Sequence, residues 1–217
     1  MPKLGMEPIR RKQLIDATVE TIHAHGFAEA TVKQISARAG VSSGIIHHYF
    51  GGKDALLAAT MRAMLRDLQR AVAVRLTQAD TSRERLEAVI DGCFSRDQFS
   101  GAVQTAWLSF WAQTPHSPAL KRLARVYLGR LRSTLRHDLK ALLPDAEAAA
   151  AASGLAALID GLWLTAAVSP ETVNPETARA LARAHLSAHL AAHMAAHPVA
   201  APRQDAVPQH DAGACSA

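Results

Sequence analysis

Apolar residues recur three and four positions apart along almost the whole chain, and no stretch alternates apolar and polar for long enough to make a strand. The pattern predicts an all-α fold: an N-terminal three-helix helix-turn-helix domain joined by a long helix to a helical ligand-binding and dimerisation domain. The first helix is expected from about Pro8 to His25, with Ile15, Val19 and Ile22 on one face and Gly26 ending it. Thr31 and Gln34 have capping-box spacing, and Val32, Ile35 and Ala39 form an inward stripe. That second helix lasts about two turns before Gly40. Val41-Ser42-Ser43 then offers a new N-cap ahead of Ile45, Ile46, Tyr49 and Phe50, so two short helices flank a glycine turn.

Gly51-Gly52 closes the third helix, and Lys53 opens a long fourth one through Leu56, Met61, Leu65 and Leu68 toward residue 76. Helical periodicity continues over 83–114, 118–142, 146–168 and 175–196, with prolines 115, 118, 144, 170 and 175 between the segments. Asn174, Pro175 and Glu176 make a strong helix start. From Pro198 onward periodicity is lost, which reads as a disordered tail. The expected organisation is an N-terminal arm over 1–7, a DNA-binding domain over 8–68 with its motif at 31–50, a ligand-binding and dimerisation domain over 69–197, and the tail over 198–217.

Charge sharpens this picture. Residues 1–75 hold 11 Lys+Arg against 6 Asp+Glu, whereas residues 76–217 hold 13 of each. The whole excess of +5 therefore sits where phosphates would have to be neutralised. No run approaches the roughly 18 uninterrupted apolar residues of a membrane helix, and the N-terminus lacks a signal-peptide stretch, so a cytoplasmic protein with no membrane partner is expected. Cys93 and Cys215 are expected to be free thiols, with neither a disulfide framework nor a zinc cluster.

In a helix-turn-helix the second helix enters the major groove. Ser42 to Phe50 is the candidate, turning Ser43, Gly44, Ile45, His47 and His48 outward while Ile46, Tyr49 and Phe50 lean inward. Thr31, Tyr49 and Lys53 are candidate phosphate contacts. On composition alone the segment could also be a plain helical hairpin. TVKQISARAGVSSGIIHHYFGGKDALL resembles the DNA-binding domain of the TetR family of repressors, over about residues 8–68, except that Gly51-Gly52 stands where that family usually has Ser or Asp. MPKLGMEPIRRKQLIDATVE, AWLSFWAQ and GLAALIDGLWLTAAVS resemble its choline-sensing branch over about residues 1–190. That resemblance implies a repressor of choline uptake and glycine betaine synthesis genes, relieved by choline as inducer.

Trp107, Phe110 and Trp111 stand at i, i+3 and i+4 on one helix side, and Trp163 follows Asp160 by three residues in a second apolar helix. A quaternary ammonium donates no hydrogen bond, so its receptor needs ring faces and a carboxylate. These five residues suit that chemistry and equally suit an ordinary core. Asp91 reads as either a pocket carboxylate or a solvated residue. Gly154 and Gly161, a heptad apart in Ala-rich sequence, permit close pairing of two copies, and a homodimer would read an inverted-repeat operator on double-stranded DNA. Helix four is the expected lever between ligand and DNA.

His185, His189, His193 and His197 recur every four residues, which reads as a solvated or interface stripe rather than a metal site. Seven Lys or Arg over 118–142 read as a solvated face. Neither a catalytic motif nor a cofactor-binding one is found, which leaves an enzyme as the weakest alternative. A regulator answering to another lipophilic cation, or a basic architectural DNA-binding protein, are the others.

Overall fold

The computed structural model describes residues 6–197. The expected tail over 198–217, Cys215 and most of the expected N-terminal arm lie outside the described residues. Within them nine α-helices follow one another: α1 (Met6–Glu29), α2 (Val32–Arg38), α3 (Ser43–Phe50), α4 (Lys53–Leu76), α5 (Ser82–Cys93), α6 (Gly101–Gln113), α7 (Pro118–Leu139), α8 (Asp145–Val168) and α9 (Pro175–Ala196).

Two apolar clusters organise them. The smaller one joins Leu14 and Ala17 of α1, Ile35 of α2, Ala39, Ile46 of α3 and Leu56 at the head of α4. The larger one takes Ile22 from the same α1, the rest of α4, and α5 to α9. α1 and α4 therefore run through both clusters. Any tilt of either helix is felt at both ends, because packed interiors resist local deformation.

Local chemistry explains most helix ends. Thr31 and Gln34 form the capping box at α2, the Thr hydroxyl accepting from the Gln34 amide at 3.2 Å. Gly40 adopts φ 65°, a left-handed conformation that reverses the chain before α3. Asn174 caps α9 by accepting from the Thr177 amide at 2.8 Å. Gly26 interrupts α1 with φ 77°.

The expected single helix over 83–114 is two helices. α5 stops at Cys93, a 3₁₀ turn occupies Arg96–Phe99, and α6 starts at Gly101. The cause is partly local, since the Ser100 hydroxyl accepts from the Val103 amide at 3.4 Å. It is partly tertiary: the fully buried Phe94 packs edge-on against Phe99 at 5.7 Å, and Arg179 of α9 donates to the Phe94 carbonyl at 2.9 Å. α8 is, by length and composition alone, apolar enough to cross a membrane. In the fold one face of it packs into the larger cluster, burying Ala148, Ala152, Leu155, Ala156, Ile159, Leu162 and Ala166, while Leu164 and Val168 stay exposed.

Candidate functional site

The two short helices α2 and α3 are held at their turn by Ser36, whose hydroxyl lies 3.0 Å from that of Ser43. The Gln13 side chain donates to the Ala39 carbonyl at 2.6 Å. Arg11 donates to the Tyr49 carbonyl while its guanidinium stacks 4.3 Å from the Phe50 ring centroid. α1 thus fixes both ends of the turn-helix unit.

On α3, Ser42, Ser43, Gly44, His47 and His48 are exposed, and Tyr49 is half-buried with its ring 4.9 Å from that of His48. Ile45 departs from expectation: it is half-buried against the smaller core. This helix of about two turns packs against α1, α2 and α4, and contact with three neighbours draws Ile45 partly inward. Thr31 is exposed, but its hydroxyl is spent within the capping box. Lys53 is half-buried, its ammonium 5.9 Å from the Phe27 ring centroid, at a helix start where Gly52 offers no side-chain cap. Lys33, two residues after Thr31 and exposed, went unnoticed in the sequence because a single lysine carries no periodic signal.

In the larger unit, α4, α6, α7 and α8 surround a cavity of about 370 Å³. That lies within the ~300–1,000 Å³ of small-molecule sites. Trp107, Trp111, Asp160 and Trp163 all line it, although they come from two helices about fifty residues apart in sequence. Ring centroids are 6.4 Å apart for Trp107 and Trp111, and 6.4 Å for Trp107 and Trp163. Phe110 is not in the cavity. It is fully buried on the other side of α6, edge-on to Phe27 of α1 at 6.4 Å, because the i+3 position turns farther around the helix than the i+4 position. Asp91 is also elsewhere, paired with Arg183 of α9 at 2.5 Å.

The residue missed in the sequence is Tyr127 of α7. Its ring lies 5.9 Å from Trp107 and 6.1 Å from Trp111, and its hydroxyl donates to Asp160 Oδ1 at 3.0 Å. It sits four residues after Leu123 and four before Leu131, both packed in the larger cluster, and that spacing is a usable hint of an inward position. Burial holds its phenol well above the usual value, with the Asp160 charge adding to the effect, so Tyr127 serves as a neutral donor.

Burial likewise raises the Asp160 carboxyl, and the hydrogen bond from Tyr127 opposes that rise. Trp163 is oriented by its indole N–H, which donates to the Cys93 carbonyl at 3.1 Å, and is backed by Phe99 at 5.0 Å. Four electron-rich rings and a single carboxylate, with no Lys or Arg in the lining, have the chemistry that suits a cation offering few or no hydrogen bonds.

The opposite face of α6 meets the N-terminal unit. Thr105 spends its hydroxyl hydrogen on the Gly101 carbonyl at 2.8 Å, so His23 Nδ1 of α1, 3.0 Å from the same oxygen, is the donor. The helix carrying two of the cavity tryptophans is therefore bolted directly to α1.

Of the histidine stripe, His185 and His189 are exposed, while His193 contacts Glu147 of α8 at 2.7 Å and stacks on His197 at 4.5 Å. Among the described residues, no group of three or more side chains is placed to hold a metal ion.

A helix-turn-helix on one core and a ligand-sized cavity in a second, sharing two helices, are the architecture of a DNA-binding transcription regulator. Residues 14–60 match the family of bacterial regulatory proteins of the tetR type, and residues 79–191 match the C-terminal domain of BetI-type transcriptional repressors. The chain belongs to the TetR family, in its BetI-type branch.

It is 53% identical to the HTH-type transcriptional regulator BetI 1 of Chromohalobacter salexigens, covering 84% of this chain and 91% of that one. It is 54% identical to BetI of Cronobacter sakazakii, covering 83% and 91%. A transcriptional regulator of Pseudomonas aeruginosa PAO1 shares the fold with a TM-score of 0.77 at 33% identity, covering 87% of this chain and 93% of that one. A regulator of Saccharomonospora viridis, solved in complex with choline, matches with a TM-score of 0.70 at 20% identity, over 82% and 95%.

Proposed function

We propose that this chain is a homodimeric, cytoplasmic repressor of genes for choline uptake and glycine betaine synthesis, released from its operator by choline. The observation that carries the reading is the cavity: the rings of Trp107, Trp111, Trp163 and Tyr127 with Asp160 as the one carboxylate in its lining. Each ring over a trimethylammonium group contributes on the order of 0.5–2 kcal/mol. The curated BetI relatives, and a regulator of the same fold that holds choline, support the same ligand.

Two copies present two α3 helices. Spaced about 34–36 Å apart, they read half-sites one turn of DNA apart in an inverted repeat. The pairing face would be α8 and α9, where Leu164, Val168, Leu181 and Met194 are exposed and where Gly154 and Gly161 have open space beside them. Coupling to DNA follows from the double role of α6. Ligand drawing Trp107 and Trp111 together shifts α6, and the shift reaches α1 through Thr105–His23 and Phe110–Phe27. Leu68, which also lines the cavity, gives α4 a parallel share. Choline lowers operator affinity by its differential binding to the two arrangements.

The test is operator binding by fluorescence anisotropy, with choline, glycine betaine and an unrelated lipophilic cation titrated in turn. Release by choline is expected; release only by the unrelated cation would replace the ligand, and binding without sequence preference would remove the repressor. Within the same assay, His47→Ala and Tyr49→Phe are each expected to weaken operator binding by about 1–3 kcal/mol with unchanged helicity. Unchanged affinity in both would take α3 out of the groove.

A further inference from the structure

A second cavity of about 340 Å³ lies between α4, α5 and α7, on the far side of Leu68 and Tyr127 from the first. We propose that it binds a single-chain amphiphile with an anionic head, a medium-chain fatty acid, held head-outward at Arg130 with its tail running toward Cys93.

Its walls are apolar: Leu68, Val72 and Leu76 of α4, Val89 and Cys93 of α5, and Leu131 of α7. At liquid-water density of about 30 Å³ per molecule, the volume holds on the order of ten heavy atoms. Its polar groups are Arg130, Ser133 and Thr134 of α7 with Gln69 of α4, and no acid lines it. Arg130 is exposed and has no carboxylate within salt-bridge distance among the described residues, unlike Arg136 farther along the same helix and Lys140 at its C-cap, which share Asp145.

The two cavities are thus complementary in charge, the first holding an acid and no base, the second a base and no acid. The inner end is closed to charge. Burial pushes the Cys93 thiol up to about 12, with Asp160 adding to the effect, so this wall is a neutral thiol that welcomes hydrocarbon. A planar guanidinium at the rim matches a carboxylate in two parallel hydrogen bonds, which fixes the polarity of the ligand. Five of the lining residues belong to α4, so filling the cavity bears on the helix that enters both cores. The proposal does not depend on choline being the ligand of the first cavity.

The test is calorimetric titration of the full-length protein with laurate below its micellar concentration, with 1-dodecanol and dodecyltrimethylammonium as comparison ligands. One saturable laurate site per protomer is expected, persisting in saturating choline. Arg130→Gln should weaken laurate about tenfold and leave dodecanol unchanged. Ala73→Phe, at an exposed position on the cavity rim, should abolish both while circular dichroism and the choline response stay intact.

Absence of saturable laurate binding overturns the proposal. So does equal affinity in Arg130→Gln, or a preference for the cationic chain. Strictly competitive displacement of laurate by choline also overturns it, since mutually exclusive binding places both ligands in the first cavity. A protein that binds laurate but ignores choline would instead overturn the choline reading alone.

Discussion

Asp160→Asn is expected to raise the choline concentration needed for operator release by about 10–100-fold while leaving operator affinity without choline unchanged. A hydrogen-bonded or paired charged group contributes about 1.5–3 kcal/mol, and each 1.36 kcal/mol is a factor of ten. Amide and carboxylate are nearly isosteric, so the three tryptophans keep their places and only the charge goes. The same substitution is expected to leave the unfolding midpoint unchanged or raise it, because burial disfavours the ionised carboxyl.

The pH dependence follows from that raised value. Choline favours the ionised form, so its affinity should fall as pH is lowered through the Asp160 pKa, which lies above the ordinary 3.8, and should level off above it. For stability the sign is opposite. The folded protein holds the Asp160 proton to higher pH than the unfolded chain, so this contribution is present in full below 3.8 and is lost as pH rises through the folded value. Calorimetric choline titrations over pH for the wild type and Asp160→Asn provide the measurement. A variant with wild-type choline affinity and wild-type pH dependence would remove Asp160 from the site.

The largest effect on stability is expected from a single methyl group at Gly92. A Cβ there would stand 2.5 Å from Val72 Cγ2, 2.6 Å from Val72 Cα and 2.9 Å from Val72 N. Two of those three atoms are backbone, so no rotamer change relieves the overlap and α4 or α5 must move. Overpacking of this kind costs about 1–3 kcal/mol and occasionally more. Gly92→Ala is therefore expected to lose about 3 kcal/mol, a fall of ~6–12 °C in Tm for a chain of this size.

The control is Gly129→Ala on α7, where a Cβ meets nothing within 4 Å and helix propensity should add up to about 1 kcal/mol. Equal midpoints for the two variants in thermal and urea unfolding would show that α4 and α5 do not pack backbone to backbone. The close crossing also anchors the C-terminal end of α4. Leu68, on the cavity wall, is one turn from that anchor, whereas Lys53 lies nineteen residues away at about 1.5 Å per residue. A small displacement at Leu68 is multiplied several-fold at the head of the helix.

The DNA-reading half was the more legible part. Its helix starts and stops are written in local chemistry, as at Thr31–Gln34 and Gly40, and its motif has fixed spacing. The cavity was legible only as residue types. Trp107, Trp111 and Trp163 could be named, but periodicity tells which residues share a helix face and not what that face meets. Phe110 therefore lies on the other side of α6 from that expected, and nothing in the sequence around Tyr127 marks it as a partner of rings on two other helices. The break between α5 and α6 was missed for a related reason: every residue from 83 to 114 is compatible with helix, and the turn at 94–100 is held by Phe94, Phe99 and Arg179, two of which only packing brings near the third.

By itself the sequence determined the all-helical class, the caps and glycine turns, the basic N-terminal third and the family, because these depend on neighbours within about four residues or on the order of residues along the chain. The tertiary structure alone decided which rings face one cavity, that Asp160 is met by Tyr127 and lifted by burial, and that α6 touches both ligand site and α1. It also decided that Gly92 must be glycine. Each of these depends on distances between segments tens of residues apart, which are set only when the helices pack.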